Sequence, residues 1–199
     1  KSMLAERLST LLPPLNREEV IEVLKIHSVA LQSTENIVAG IRPYRTPHYM
    51  VSDAGLIGGG AGPKPGEVSL AHRGVLFLDE FPEFKRSGIE ALRSPMETGT
   101  VQIARARATI EFPARFQMVA AMNPCPCGRF GSGVGTCRCS HHAVRDYLAK
   151  LSQPILDRID LHVELEAVNI EELVWEQEIT RADEGKDLVP KVFEARRIQ

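Results

Sequence analysis

Apolar positions along the chain recur with two periods. Residues 3–12 carry Met3, Leu4, Leu8, Leu11 and Leu12 at helical spacing until Pro13-Pro14 stop the helix. Asn16 is the N-cap of a second helix running from Arg17 to about Leu31, with Val20, Val23, Leu24, His27 and Leu31 as its buried stripe. His27 on that face reads as a packed core histidine. Residues 85–97 predict a third helix through Ile89, Leu92 and Met96, and residues 146–151 start another. Val75 to Leu78 is four large apolar residues in a row, too short for a helix with its own face, and suits a strand buried on both sides of a parallel sheet. Residues 116–122 predict a second such strand, and residues 154–165 lead into a third. Residues 100–103 and 109–112 alternate apolar with polar and flank a turn, a hairpin with Arg105 and Arg107 near its tip. Residues 170–180 read as helix, 182–188 as a polar linker and 189–199 as the start of another helix.

Between residues 41 and 67 the pattern dissolves. Pro and Gly at this density deny both helix and regular strand, so the segment reads as a long loop. Its glycines precede no Gly-Lys-Ser/Thr. Arg42, Arg45, His48 and Lys64 make it locally basic, which suits contact with a nucleic-acid backbone and equally a solvated surface loop.

Composition narrows the class. With 43% hydrophobic and 25% charged residues among 199, the chain is that of a globular protein. A net charge of −2 excludes a wholly cationic nucleic-acid binder, so any such contact falls to a local patch. No apolar run approaches the roughly 20 residues that cross a bilayer, and no signal peptide opens the sequence. The expected compartment is the cytoplasm, where four cysteines stay reduced.

Chemistry concentrates at strand ends. Asp79 and Glu80 stand where the 75–78 strand runs out, and open α/β sheets bind ligands there. A carboxylate in that place holds Mg²⁺ against nucleotide phosphates, and its neighbour orients and deprotonates a water, the Walker B pattern of an ATPase. An ordinary core strand ending in two solvated acids is the alternative. Lys1-Ser2 before a helix is how a phosphate-binding loop G-x-x-x-x-G-K-[ST] ends; the glycines of such a loop would lie upstream of Lys1. Asn123, after the second buried strand, suits either the orientation of an attacking water or a turn before Pro124. Cys125, Cys127, Cys137 and Cys139 form two C-x-C pairs, which fit a tetrahedral Zn²⁺ site or a set of free thiols, with His141 and His142 as substitute ligands. Arg158, between two aspartates, is either a salt-bridge former or an arginine presented to a neighbouring subunit.

With these pieces in order, the chain resembles the magnesium-chelatase-related AAA+ ATPases of the ComM/YifB type over nearly its whole length. The most specific stretches are RPYRTPHYMVSDAGLIGGG followed by PKPGEVSLAHRGVLFLDEFPEF, then FPARFQMVAAMNPCPCG and KLSQPILDRIDLHVEL. The resemblance implies an α/β P-loop NTPase, a three-layer αβα fold with a mostly parallel central sheet, β-hairpin insertions and the start of a helical lid. Residues 1–168 would be the ATPase core, with 41–67 the helix-2 insert, 100–112 the pre-sensor hairpin and 125–139 a Cys-rich loop; 169–199 would be linker and the beginning of the lid. It further implies Lys1 and Ser2 as the end of Walker A, for phosphate and Mg²⁺; Asp79 and Glu80 as Mg²⁺ holder and catalytic base; Asn123 as sensor 1; and Arg158 as a trans-acting arginine finger. ATP and Mg²⁺ are the implied cofactors, with Zn²⁺ added by the cysteines. The implied partners are further copies of the chain in a ring, a hexamer, and DNA gripped by Arg105, Arg107 and Lys64, with no membrane. A DNA motor of recombination or transformation is the leading expectation, turnover being expected of the parent protein that carries the phosphate loop. An ATPase subunit of a metal chelatase or protein-remodelling complex, acting on a protein partner, is the alternative, and a nucleotide-free scaffold a third.

Overall fold

A computed structural model describes residues 1–60, 62–104, 109–131, 135–165 and 188–198. Helices α1 (Ser2–Leu11) and α2 (Arg17–Val29) form where the apolar spacing places them. α2 opens on a full capping box: the Glu19 amide donates to the Asn16 side chain at 2.9 Å, and the Asn16 amide donates to the Glu19 carboxylate at 3.1 Å. Such a cap contributes about 1 kcal/mol. The buried residues of α2 are Val23, Ile26 and His27. Leu31 is not among them; the chain has turned at Ala30, and Leu31 sits at φ 56° and is 83% exposed.

The 41–67 stretch is not a structureless loop. After the single turn α3 (Glu35–Val38) it holds β1 (Tyr44–Arg45), α4 (Asp53–Leu56), the hairpin pair β2 (Gly58–Gly59) and β3 (Lys64–Pro65), and α5 (Glu67–Leu70). Pro43 and Pro47 bracket β1 and keep it to two residues, so it has no periodicity to read. Two of the stretch's cations are also committed inside the fold. Arg42 pairs with Glu19 at 2.8 Å with its side chain 6% exposed, and Arg45 pairs with Glu67 at 2.6 Å.

At the centre lies β4 (Val75–Leu78), buried at every position. β1 and β7 (Gln117–Ala120) flank it, both parallel, in the order β1-β4-β7. Burying each large side chain of β4 contributes about 1.5–3 kcal/mol. Residues 85–97 form two helices rather than one, α6 (Arg86–Ala91) and α7 (Arg93–Thr98). Pro95, which has no amide to donate, is accommodated only in the first turn of a new helix. The antiparallel hairpin β5 (Thr100–Ala104) and β6 (Thr109–Pro113) turns Val101, Ile103 and Phe112 into the same core as Leu76, Leu78, Phe81, Leu92 and Ile155. α8 (His141–Leu148) begins five residues before the expected start, because the Ser140 hydroxyl caps it by accepting from the Ala143 amide at 3.2 Å. α9 (Gln153–Leu156) follows. Residues 157–165 form no strand: no neighbour pairs with them among the described residues, and Leu161 and Val163 stay exposed. The last described element is the helix Leu188–Ile198. The expected helix at 170–180 lies outside the described residues. A parallel sheet with helices packed about it is the mixed α/β arrangement of an αβα nucleotide-binding fold.

A buried polar seam ties α2 to the sheet. His72 Nδ1 accepts the Arg115 amide at 3.0 Å, which leaves Nε2 to face Glu22 at 3.2 Å; Arg73 also donates to Glu22, at 2.8 Å. Burial holds His72 below its ordinary pKa, and burial does the same to His27 beside the Leu70 carbonyl. The Arg73 guanidinium, first among several causes, holds Glu22 below the usual carboxylate range. All three shifts have one sign. In each case the unfolded chain takes up protons before the folded one, so stability falls as pH falls. The histidine contribution is complete above about pH 6.5 and is lost as pH drops below that value; the Glu22 contribution is lost below about pH 4.5. Thermal melts of the chain should therefore shift down by several degrees between pH 7.5 and 5.5 and again below pH 4.5. A flat midpoint from pH 7.5 to 5.5 would count against the buried neutral histidines.

Candidate nucleotide and metal sites

β4 delivers Asp79 and Glu80 to its carboxyl end. The chain then reverses sharply: Glu80 adopts a left-handed conformation (φ 52°, ψ 43°), and its amide donates to Asp79 Oδ1 at 2.9 Å. Phe81 and Pro82, both buried, anchor the 3₁₀ turn that follows. Two further bonds carry the β4–β7 ladder past the strand ends, Ala121 amide to Leu78 carbonyl at 2.9 Å and Phe81 amide to Ala121 carbonyl at 3.0 Å. Met122 and Asn123 are thus brought beside the acidic pair.

The N-terminus of α1 meets both strand ends. Ser2 Oγ donates to Asp79 Oδ2 at 2.7 Å, and Lys1 Nζ donates to the Met122 carbonyl at 2.6 Å and to Asn123 Oδ1 at 2.8 Å. Four residues named from the sequence therefore share one cluster. Its donor set fits a hydrated divalent cation of the Mg²⁺ class. A hydroxyl and a carboxylate oxygen 2.7 Å apart approach the edge of an Mg²⁺ octahedron, about 3.0 Å for Mg–O bonds of about 2.1 Å. Glu80, next in sequence, is exposed at the same strand end.

Arg158 is elsewhere. Its guanidinium bonds Glu97 and the Pro154 carbonyl, its Nε is buried without a partner, and nothing among the described residues joins it to the Lys1 cluster. Lys64 is exposed on the β2–β3 hairpin. Arg105 and Arg107 lie outside the described residues.

The four cysteines form a second cluster. Their sulfurs lie within 4.8 Å of one another, with Cys125–Cys127 at 3.4 Å, Cys125–Cys137 at 3.7 Å and Cys127–Cys137 at 3.6 Å. These separations exceed the roughly 2.05 Å of a disulfide. The backbone amides of Arg129 and then Arg138 lower the Cys127 thiol to about 6. Cys139 is pushed up to about 12: the Cys127 amide opposes the rise, but the Cys127 sulfur and burial outweigh it. His141 and His142 are not in the cluster; the start of α8 draws them away, and His142 pairs with Asp146 at 2.7 Å.

Tyr147 escaped notice in the sequence. It is buried on α8, and its hydroxyl faces the backbone amide of Asn123; burial, the largest cause, raises its pKa. Its one local signal is the helical phase with Val144, which the expected later start of the helix concealed.

The family model for magnesium chelatase, subunit ChlI, matches residues 1–173. The chain belongs to this family. Within this magnesium-chelatase-related family it is of the ComM/YifB type: it is 48% identical over 165 residues to the uncharacterized protein YifB of Salmonella typhimurium and 49% identical over 165 residues to the competence protein ComM of Haemophilus influenzae. Each match covers 83% of this chain and 32% of the relative, so the chain spans about a third of those proteins. The magnesium-chelatase family is one of AAA+ ATPase-related proteins that use ATP and Mg²⁺ and assemble as rings. No helix among the described residues is long and apolar enough to cross a membrane.

Proposed function

We propose that this chain is the ATP-hydrolysing core of a cytoplasmic, ring-forming motor, a hexamer, that moves along DNA. The observation that carries the reading is the convergence of Lys1, Ser2, Asp79 and Asn123 at the carboxyl ends of two parallel strands. Lys1 exchanges its two oxygen partners for nucleotide phosphate oxygens. Ser2 and Asp79 are the residues that would hold Mg²⁺, which would supply positive charge against the nucleotide phosphates. Glu80 takes the proton from the water that attacks the γ-phosphorus, and Asn123 Oδ1, released by Lys1, orients that water. Arg158 leaves Glu97 for the γ-phosphate of a neighbouring subunit's ATP and stabilises the charge that develops there. The four cysteines hold Zn²⁺ as thiolates.

The DNA part of the reading rests on the ComM-type resemblance and on Arg105 and Arg107, which the sequence places between β5 and β6. In it, the 41–67 insert with Lys64 and the 100–112 hairpin face the ring's channel and grip phosphates, and residues 188–198 belong to the lid. ATP turnover by the full-length protein, measured with and without single-stranded DNA, tests it. Stimulation of about tenfold that fades with rising salt is the expected result, since phosphate contacts are screened. Turnover indifferent to DNA at low salt would overturn the DNA motor and leave a chelatase-like ATPase working on a protein partner.

A further inference from the structure

The cysteine cluster sits against the residue that, under the proposed function, orients the attacking water. Asn123 precedes Cys125 by two residues. The loop then folds back so that Gly128, at φ 75°, lies over the Asn123 side chain; a Cβ built there would be 3.8 Å from Asn123 Cγ. The second cysteine pair runs straight into Ser140, the cap of α8, and α8 carries Tyr147 to the Asn123 amide. One arm of the cluster is therefore joined to Asn123 by sequence, and the other leads into the helix whose Tyr147 lies near the Asn123 backbone.

Three of the sulfurs stand at the spacing of a filled site, and Cys139 lies within 4.8 Å of them. A tetrahedral Zn²⁺ with bonds of about 2.3 Å sets its sulfurs about 3.8 Å apart, against the observed 3.4, 3.7 and 3.6 Å. Cys125 also accepts the Phe130 amide at 3.4 Å, the outer contact that orients and stabilises a metal-bound thiolate. The loop supplies Arg129 and Arg138 against the excess negative charge of a four-thiolate site.

We propose that the four cysteines form a closed Zn²⁺ staple that holds Asn123 in place between the Cys125 arm and Tyr147, so that metal loading sets the rate of the chemical step. The cysteines and Tyr147 are positioning residues; none touches nucleotide. The proposal rests on the ATPase reading for its kinetic consequence and on the cluster alone for its structural one. A displacement of about 1 Å in a reacting group costs on the order of a hundredfold in rate, so loss of the staple lowers kcat far more than it weakens binding through Lys1 and Ser2.

The test uses full-length protein purified under reduction without chelator. Metal analysis should find about one Zn²⁺ per chain, lost in Cys137→Ser/Cys139→Ser. The zinc-free variant should show kcat lowered about 10- to 100-fold with nucleotide Kd changed less than about threefold. Tyr147→Phe should keep its zinc and still lose kcat. Hydrogen exchange of the peptide 121–123 should quicken at least about tenfold without zinc while 75–78 is unchanged, a readout that does not depend on turnover. Absence of metal overturns the staple outright. Bound zinc whose removal leaves both exchange at 121–123 and kcat unaltered overturns the positioning role. If the zinc-loaded protein shows the exchange effect yet hydrolyses no ATP, the structural half of the proposal stands and the ATPase reading is what fails.

Discussion

Glu80→Gln in the full-length protein should leave nucleotide binding within about twofold of wild type and lower ATP turnover by two to four orders of magnitude, the range that general-base catalysis contributes. The expectation follows from where the backbone puts this side chain. Asp79 accepts from Ser2 at one oxygen and from the Glu80 amide at the other, so both of its oxygens already have partners. Glu80, turned out by its left-handed backbone, is exposed at the same strand end. The amide of glutamine keeps the size and can still hold a water, but it cannot take a proton. A fluorescent ATP analogue reads binding and phosphate release reads turnover. Hydrolysis at the wild-type rate would sink the base assignment while leaving the Mg²⁺-holding pair untouched.

Gly74→Ala should have the largest effect on stability, about 3 kcal/mol or more out of the 5–15 kcal/mol typical of a domain. Gly74 leads into β4, and an added Cβ would overlap the Pro43 carbonyl oxygen, with the Pro43 carbon and nitrogen at 2.8 and 2.9 Å. Neither side can yield easily. The Val75 amide donates to that same Pro43 carbonyl at 2.8 Å, and the Gly74 carbonyl accepts from the Gln117 amide at 2.9 Å, so the glycine is fixed within the sheet on both edges. Gly62→Ala, where a Cβ meets nothing within 4 Å, is the matched control and should stay within about 0.5 kcal/mol. Urea unfolding midpoints compare the two; equal midpoints would mean that the Pro43–Gly74 crossing relaxes at little cost.

How much of this could be read from the residues depends on how local each cause is. Val75 to Leu78 announces burial on both faces by composition alone, and β4 is buried at all four positions. The two C-x-C pairs announce soft ligands in the same way, and their sulfurs gather in one place. β1 could not be read, because a two-residue strand between prolines is defined by its partner rather than by any pattern of its own. Arg42 and Arg45 looked like a basic surface because charge is visible in sequence and its neutralising partner is not: Glu19 lies 23 positions before Arg42, and Glu67 lies 22 after Arg45. The same limit hid Tyr147, whose significance is a contact with a backbone amide 24 residues away. For the Lys1 cluster, residue types and order were legible; their meeting at 2.6–2.8 Å was not.

That meeting has a consequence for how the site opens and closes. α1 contributes a single buried residue, Ala5, while Met3 and Leu4 are 77% and 59% exposed, so little hydrophobic energy holds the helix to the sheet. The three bonds it makes to the strand ends span 77, 121 and 122 residues of chain, and none survives if the helix swings away. A swing of α1 would break all three bonds together and part Lys1 and Ser2 from the strand ends, while the β1-β4-β7 ladder depends on none of them. Under the proposed function, a nucleotide gripping Lys1 and Ser2 would bind the docked form and favour it by mass action, so its occupancy and the docking of the first helix would be linked.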